Sequence, residues 1–447
     1  MKVTLIEPAM IKREGVSEKP SWVLQPLTLA TLAGLTPEDV EVEAIDDRIE
    51  PIDYDAPRDL VGISVKTFTA RRAYQIAAEL RRRGVPVVLG GHHPTLLPAE
   101  AAQHADALLL GEAEGVWDQL IEDARHGRLQ PVYRQAATLP LTALRVDRSI
   151  FAGKKYLPVG MVETTRGCPF ACNFCSVTTF FGQSFRHRPP AEVVAEIERL
   201  GGQKLVFLVD DNIVGDRRAA KELFRALIPL NIRWISQASL TMTRDRELMR
   251  LMRDSGCAGV LVGIESLDRS NLKQIDKSWN TVGIGYSEAL KIARDHGIPI
   301  VGSFLLGLDE DTPGSLDRML ELAVEQRLFA VLFNLLTPYP GTRLYETLRQ
   351  EGRLARPEWW QDPGYTYGSV VFEPKRMSAR VLAQKRLEMY RRFYGVPSLV
   401  RRLCDLRANA RDPWHAFTFL AMNLPANRDE VMRFGRALGA DEASALG

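Results

Sequence analysis

At 447 residues, 45% of them hydrophobic and 26% charged, the chain has an ordinary globular composition and the length for two or three domains. A net charge of +2 from interspersed acids and bases gives no single-sign field, which argues against a nucleic-acid partner. Five cysteines, an odd number with three of them in eight residues, argue against a disulfide framework and for a reducing compartment, so the expected address is the cytoplasm. The start MKVTLIEPAM has no long apolar h-region and reads as no signal peptide. No window approaches the roughly 18 apolar residues of a transmembrane segment.

Residues 1–127 alternate β-branched runs, KVTLIEP, VEVEAIDDR, LVGISV, PVVLGG and ADALLLGE, with helical stretches such as ARRAYQIAAELRRRG. Strands apolar along their whole length, separated by amphipathic helices, build βαβ units, so a doubly wound, Rossmann-like α/β domain of about five strands is expected. Ligands of such sheets lie outside the carboxyl ends of the strands. The candidates there are Ser64 and Thr67 of SVKT, Gly90, Gly91 and His92 of GGHHPT, and Gly111 and Glu112 of GEAE, with His93 in the same turn. Paired glycines equally suit plain strand-to-helix turns, and no G-x-G-x-x-G follows the first strand, which disfavours ordinary dinucleotide binding.

Residues 128–153 contain proline, are weakly periodic and read as a linker. Across residues 154–345 a second alternation follows: PVGMVETT, KLVFLVDD, RWISQAS, GVLVGIES, PIVGSFLLG and FAVLFNLLTP, with helices such as PAEVVAEIERL, DRELMRLMRDSG and TVGIGYSEALKIARDHG between them. Six βα units predict a full or partial TIM-type barrel whose site lies where the strands end. Residues 346–447 turn helical, Arg-rich and Trp-containing and are expected to form a mostly helical subdomain. Trp359, Trp360, Tyr365 and Tyr367 follow Tyr339 there, and such aromatics more often form core than a substrate platform. The stretch from Arg391, RRFYGVPSLVRRLCDLRANARD, is basic and partly amphipathic; it suits an anionic lipid surface, although a solvated helix face is the ordinary explanation. Cys257 and Cys404 have no second cysteine nearby and are expected to be buried thiols.

The segment ETTRGCPFACNFCSVTTFFG directly follows the first barrel strand. Cys168, Cys172 and Cys175 form C-x3-C-x2-C on a loop containing Gly167 and Pro169, so three thiolates can converge on a metal. Structural zinc takes four ligands in a closed tetrahedron, and no second C-x2-C or H-x3-H lies downstream. A 4Fe–4S cluster normally takes four thiolates, and three would leave one iron open to a substrate or cofactor. On the residues alone, an iron–sulfur cluster and another metal role both stay open.

With an aromatic, Phe174, before the last cysteine, and with the loop placed after the first strand of a barrel, the motif resembles that of the radical S-adenosylmethionine superfamily. The resemblance implies a 4Fe–4S cluster on Cys168, Cys172 and Cys175, S-adenosylmethionine chelated by the open iron, and its reductive cleavage to methionine and a 5′-deoxyadenosyl radical. It implies a cluster shielded by Phe174 as a cofactor-binding residue of the loop, and S-adenosylmethionine contacts from Asp211 and Asn212 at the second strand end and from Ser236, Gln237 and Ser239 at the third. Glu265 at the fourth and GSFLLGLDEDT on the fifth complete the set, while the family's common Gly-Gly-Glu is missing from the second. A buried Glu265 needs a donor such as a ribose hydroxyl or an arginine, and Arg186 and Arg188 of SFRHRPP are candidate carboxylate binders.

The α/β domain followed by this barrel resembles the cobalamin-binding (B12-binding domain) radical S-adenosylmethionine enzymes over nearly the whole chain. That implies a corrin sandwiched between the two domains, its tail near the strand-end residues named above. The D-x-H-x-x-G motif that supplies a cobalt-ligating histidine is absent, which fits either a corrin bound without one or a domain that has lost its cofactor. With cobalamin, the implied chemistry is methylation of an unactivated carbon in a small-molecule or lipid substrate. The alternative within the class is cyclisation, ring contraction or another carbon-skeleton rearrangement without methyl transfer. An external electron donor such as flavodoxin or ferredoxin is implied; the substrate and the oligomeric state carry no signal. An RNA methylthiotransferase would place further cluster cysteines near the N-terminus, and the first 167 residues contain none. A non-catalytic iron–sulfur carrier would want a fourth ligand.

Overall fold

The computed structural model describes residues 1–12, 23–142, 144–281 and 283–440; Val282, in one of the expected helices, lies outside them. The first sheet comprises β1 (Lys2–Glu7), β2 (Glu41–Asp46), β3 (Leu60–Ser64), β4 (Val87–Gly90), β5 (Ala107–Leu110) and β6 (Val132–Arg134). Its order is β2-β1-β3-β4-β5-β6 with every neighbour parallel. β3 and β5 are buried at every position, as strands covered on both faces must be. The order reverses between β1 and β3, and the crevice there holds Glu7, ion-paired to Lys66. The sixth strand lies inside the expected linker: Val132–Arg134 is three residues long, too short to show a period, yet pairs with β5 and buries Tyr133.

The second sheet comprises β7 (Gly160–Val162), β8 (Leu205–Leu208), β9 (Arg233–Ala238), β10 (Cys257–Glu265), β11 (Ile300–Leu306) and β12 (Ala330–Leu335). All are parallel and in sequence order, forming a partial (β/α)6 barrel with β7 and β12 as its edges. Alternation within β9 separates the two faces. Trp234 stacks on Phe224 of the surrounding helix Arg217–Leu227 at 5.0 Å, so Ser236 and Ala238 share its outward face while Ile235 and Gln237 turn to the lumen.

The described part of the last hundred residues is mostly helical, as expected, and packs on both the barrel and the first domain. Helices Ala379–Phe393, Val396–Leu403 and Pro413–Arg433 brace β12 and the residues just before it, where the backbone N–H groups of Val331 and Phe333 donate to the hydroxyls of Tyr394 (3.2 Å) and Tyr390 (3.1 Å). The preceding segment instead completes the first domain. Trp359, Trp360, Tyr365 and Val371 join a core shared with Ile63, Tyr74 and Leu80, and Trp360 Nε1 donates to the Glu100 carboxylate at 3.1 Å. Gly439–Ala440 then pairs with Ile11–Lys12. No helix among the described residues is long and apolar enough to cross a membrane.

Candidate active site at the barrel mouth

After β7 the chain forms a short antiparallel ribbon, Thr165–Gly167 against Phe185–His187, that presents the cysteine loop. Gly167 has φ +89°, and a Cβ there would strike the Ser184 carbonyl, so the turn requires glycine. Asp210, wholly buried at the end of β8, anchors the ribbon by accepting hydrogen bonds from the backbone of Thr164 (2.8 Å) and Thr165 (2.7 Å). Burial pushes its carboxyl up to about 7 against those hydrogen bonds. On the loop's other side Asn173 Nδ2 donates to the Gln274 carbonyl at 2.6 Å, Arg343 donates to the Ala171 carbonyl at 2.6 Å, and Phe170 stacks on Trp279 at 3.5 Å. Contacts distant in sequence thus hold the loop from several sides.

Cys168, Cys172 and Cys175 are half-buried free thiols. Burial raises all three, Cys172 to about 12, while Lys277 acts in the opposite direction on Cys168 and Cys172. The three sulfurs also feel one another's charge. Asn212 Nδ2 lies 3.9 Å from Cys168 Sγ, and its Oδ1 is buried without a partner. Among the described residues no three His, Cys, Asp or Glu side chains close around one point as ligands of a single ion would. A four-iron cube asks for something else: one thiolate on each of three irons, held apart by the width of the cube. Three free thiols on one loop, beside the Lys277 ammonium and the unpartnered Asn212 Oδ1, have the donor chemistry that such a cluster would take.

Register breaks in β10 between Gly263 and Glu265, and Glu265 takes φ +66°, a conformation that costs a non-glycine residue on the order of 1 kcal/mol. The break folds its carboxylate back over Gly263, where a Cβ would collide with both Glu265 and Lys277. Glu265 and Lys277 form a buried ion pair at 2.7 Å, and the ammonium lies 5.5 Å from the Trp279 ring centroid. The donor that Glu265 needs is therefore a lysine, not an arginine. Burial pulls Lys277 down, but Glu265 and Cys172 outweigh it and the net shift is upward.

The remaining expected residues divide. Gln237 faces the lumen, and Asp211 is half-buried with its carboxyl raised to about 6 by burial and by Glu163, against a hydrogen bond from the Gly167 backbone. Ser236 and Ser239 were expected at the ligand; instead Ser236 faces the helices and donates to the Leu208 carbonyl (2.7 Å), and Ser239 bonds Thr241 (2.6 Å). Phe174 lines a cavity of about 320 Å³ with Phe68, Leu305, Tyr339, Tyr365 and Tyr367. Trp359 and Trp360 are core, whereas Cys404, expected to be buried like Cys257, is exposed.

On the first domain, Ser64 closes β3, and Gly91, at φ +98°, packs against the Val65 backbone. Thr67 Oγ1 lies 3.3 Å from the fully buried His93, whose Nε2 meets Glu100 at 2.9 Å. Gly90 precedes this turn at the end of β4, and the Gly111 N–H donates to Thr95 Oγ1 at 2.9 Å. His92 stacks at 4.3 Å on Phe180, in the helix Ser176–Phe181 that follows Cys175. Glu112, expected at the cofactor, is engaged by Arg166 and by Arg186 (2.7 Å), while Arg166 also holds Glu114 (3.1 Å) and Glu163 (2.7 Å). Arg188 pairs with Glu196 at 2.6 Å, so both candidate carboxylate-binding arginines have internal partners. Sequence reasoning missed Asp210, Arg166 and Lys277. Asp210 had a signal in the VDDN doublet; the other two acquire their meaning only from tertiary contacts.

The chain thus joins a doubly wound α/β domain to an open parallel barrel with three free thiols at its mouth. Residues 162–323 match the Radical SAM superfamily and residues 21–121 the B12 binding domain. The chain is 31% identical, over 90% of its length and 88% of the relative's, to bacteriochlorophyllide d C-12(1)-methyltransferase of Chlorobaculum tepidum. It is 28% identical over 74% of its length and 65% of the relative's to hopanoid C-2 methylase of Rhodopseudomonas palustris. The solved structure of the radical S-adenosylmethionine methyltransferase TsrM from Kitasatospora setae, with tryptophan and a S-adenosylmethionine analogue, shares the fold at TM-score 0.63 and 19% identity, over 97% of this chain and 98% of that one. The chain belongs to the B12-binding radical S-adenosylmethionine enzymes.

Proposed function

We propose that the chain is a cobalamin-dependent radical S-adenosylmethionine methyltransferase acting on an unactivated carbon of a small-molecule or lipid substrate. The observation that carries this reading is the cavity of about 320 Å³, which is lined from every part of the chain: Phe68 from the loop after β3, Phe174 from the cysteine loop, Leu305 from the barrel, and Tyr365 and Tyr367 from the C-terminal region. Cys168, Cys172 and Cys175 would hold the cluster, with Asp211, Asn212, Gln237 and Glu265 around its open iron. Ser64, Thr67, Gly90, Gly91, His92 and Gly111 would border the corrin. When bound, cluster and S-adenosylmethionine supply a 5′-deoxyadenosyl radical and cobalamin supplies a transferable methyl group.

The protein's own contribution is placement and exclusion of water. Asp210 fixes the ribbon, the Arg166–Glu112 pairs hold the first domain against it, and Lys277 balances the negative charge of Glu265 and the thiolates. The aromatic walls keep the substrate carbon dry. The methyltransferase names of the relatives support methyl transfer. An anaerobic magnesium-protoporphyrin IX monomethyl ester cyclase of Cereibacter sphaeroides, 25% identical over 74% of the chain, keeps the reading without methyl transfer as the alternative. A one-electron donor such as flavodoxin or ferredoxin and a cytoplasmic address belong to the same proposal.

The test is anaerobic purification and cluster reconstitution. Corrin absorbance, 5′-deoxyadenosine and S-adenosylhomocysteine should all appear, and Cys172→Ala should abolish the cluster absorbance and the deoxyadenosine. Deoxyadenosine formation that survives Cys172→Ala would sink the radical reading. Deoxyadenosine without corrin would sink only methylation.

A further inference from the structure

The helices that follow Gly395 are packed with part of their polarity inverted, beside the inward apolar contacts of Leu399, Leu403 and Phe419 with Phe329 and Ala330. In Val396–Leu403 the polar residues Ser398 and Arg402 face inward, and Arg402 is fully buried, while Val396 and Val400 are 71% and 55% exposed. In Pro413–Arg433 the inward face carries His415, Phe419 and Asn423, and the outward face carries Phe417, Leu420 and Leu424, spaced three and four residues apart. Phe417 is 69% exposed, Leu424 64%, and Leu406, in the turn between the helices, 76%.

Arg402 maintains this inversion. Its guanidinium donates to Asn423 Oδ1 (2.9 Å) and to the carbonyls of Phe329 (3.0 Å) and Phe393 (3.0 Å), and lies 3.8 Å from the Phe393 ring centroid. A cation fixed inside and aliphatic side chains fixed outside reverse what a solvated helix pair requires. At the rim, Arg391 and Arg401 are exposed and have no acidic partner among the described residues. Of the two carboxylates between Arg391 and Ala426, Asp405 is buried and Asp412, though partly exposed, is bonded to His415 at 2.9 Å.

We propose that this face docks on an anionic lipid bilayer, the apolar side chains entering the headgroup boundary and Arg391 and Arg401 meeting the lipid phosphates. A second copy of the chain fits less well, because a two-fold contact would set the arginine rim against itself, and between Arg391 and Ala426 the carboxylates are already engaged or buried. Arg402 reaches the Phe329 carbonyl, just before β12 begins, so the face lies at the end of the barrel opposite the cysteine loop. Docking there leaves the barrel mouth clear.

Flotation of the full-length reconstituted enzyme with vesicles of phosphatidylcholine, alone or mixed with phosphatidylglycerol, tests the proposal. Binding is expected to the mixed vesicles, weakening with salt and roughly fivefold for each of Arg391→Gln and Arg401→Gln. Phe417→Ser with Leu420→Ser should weaken it at least about tenfold, with 5′-deoxyadenosine formation unchanged. Absence of flotation overturns the proposal, as does equal binding to neutral vesicles. Concentration-dependent dimers in light scattering that the serine pair dissociates would assign the face to a second copy instead.

Discussion

A lysine buried beside a glutamate and three thiols does two electrostatic jobs at once. Lys277 neutralises Glu265 at 2.7 Å, and its field favours the thiolate forms that bind iron. Lys277→Met should remove both, leaving the Glu265 carboxylate buried without its cation at a cost of about 3 kcal/mol or more. The urea midpoint and the iron content after reconstitution should fall together; unchanged iron content would show that the ammonium does not act on the cluster loop. His92 poses a different question. Burial, aided by the Lys66 cation, holds its imidazole down at about 4, against about 6.5 in the unfolded chain. Between those values the unfolded state binds the extra proton, so the contribution is full above about pH 6.5 and is lost as the pH falls towards 4, by up to about 3 kcal/mol. His92→Phe keeps a ring against Phe180 and removes the titration. The variant should match the parent at neutral pH and exceed its denaturation midpoint near pH 5, and parallel midpoints at both would refute the assignment.

The ribbon Thr165–Gly167 and Phe185–His187 connects the loop after β5 to the cysteine loop through Arg166 and Arg186. Glu112→Gln keeps the shape of the latch and removes the charge shared by those two arginines. Arg166 retains Glu114 and Glu163, so the expected loss is about 1–3 kcal/mol rather than unfolding. The first domain should loosen against the barrel while the ribbon stays folded. Corrin retention should therefore drop severalfold with 5′-deoxyadenosine formation nearly unchanged, and a parallel fall in both would show that the latch only stabilises the fold. This element shows where sequence patterns stop. Buried parallel strands announce themselves because every position is apolar, as in LVGIS and ALLL. Val132–Arg134 escapes notice because a three-residue edge strand has no period and owes its place to its neighbour. Likewise C-x3-C-x2-C is legible because a local loop sets its geometry. Lys277 is not, since twelve residues and a register break bring it back to Glu265. Ser236 shows the opposite case: the end of β9 is legible, but which residues of a strand face the lumen depends on the strand's rotation in the barrel.

At the scale of the molecule, three regions meet on one aromatic-lined cavity, and none supplies the whole of it. The same interdependence reaches the first domain's core, which includes Trp359, Trp360, Tyr365 and Leu438. Trp360 lies 260 residues after the Glu100 carboxylate to which it donates. A chain emerging from the ribosome at about 5–20 residues per second presents its first sheet tens of seconds before these side chains exist to cover it. During that interval the part of this core that Trp359, Trp360 and Leu438 later cover is bare. The newly made half must either be sheltered or be slow to associate with itself, and the last fifth of the chain decides whether the first quarter is finished.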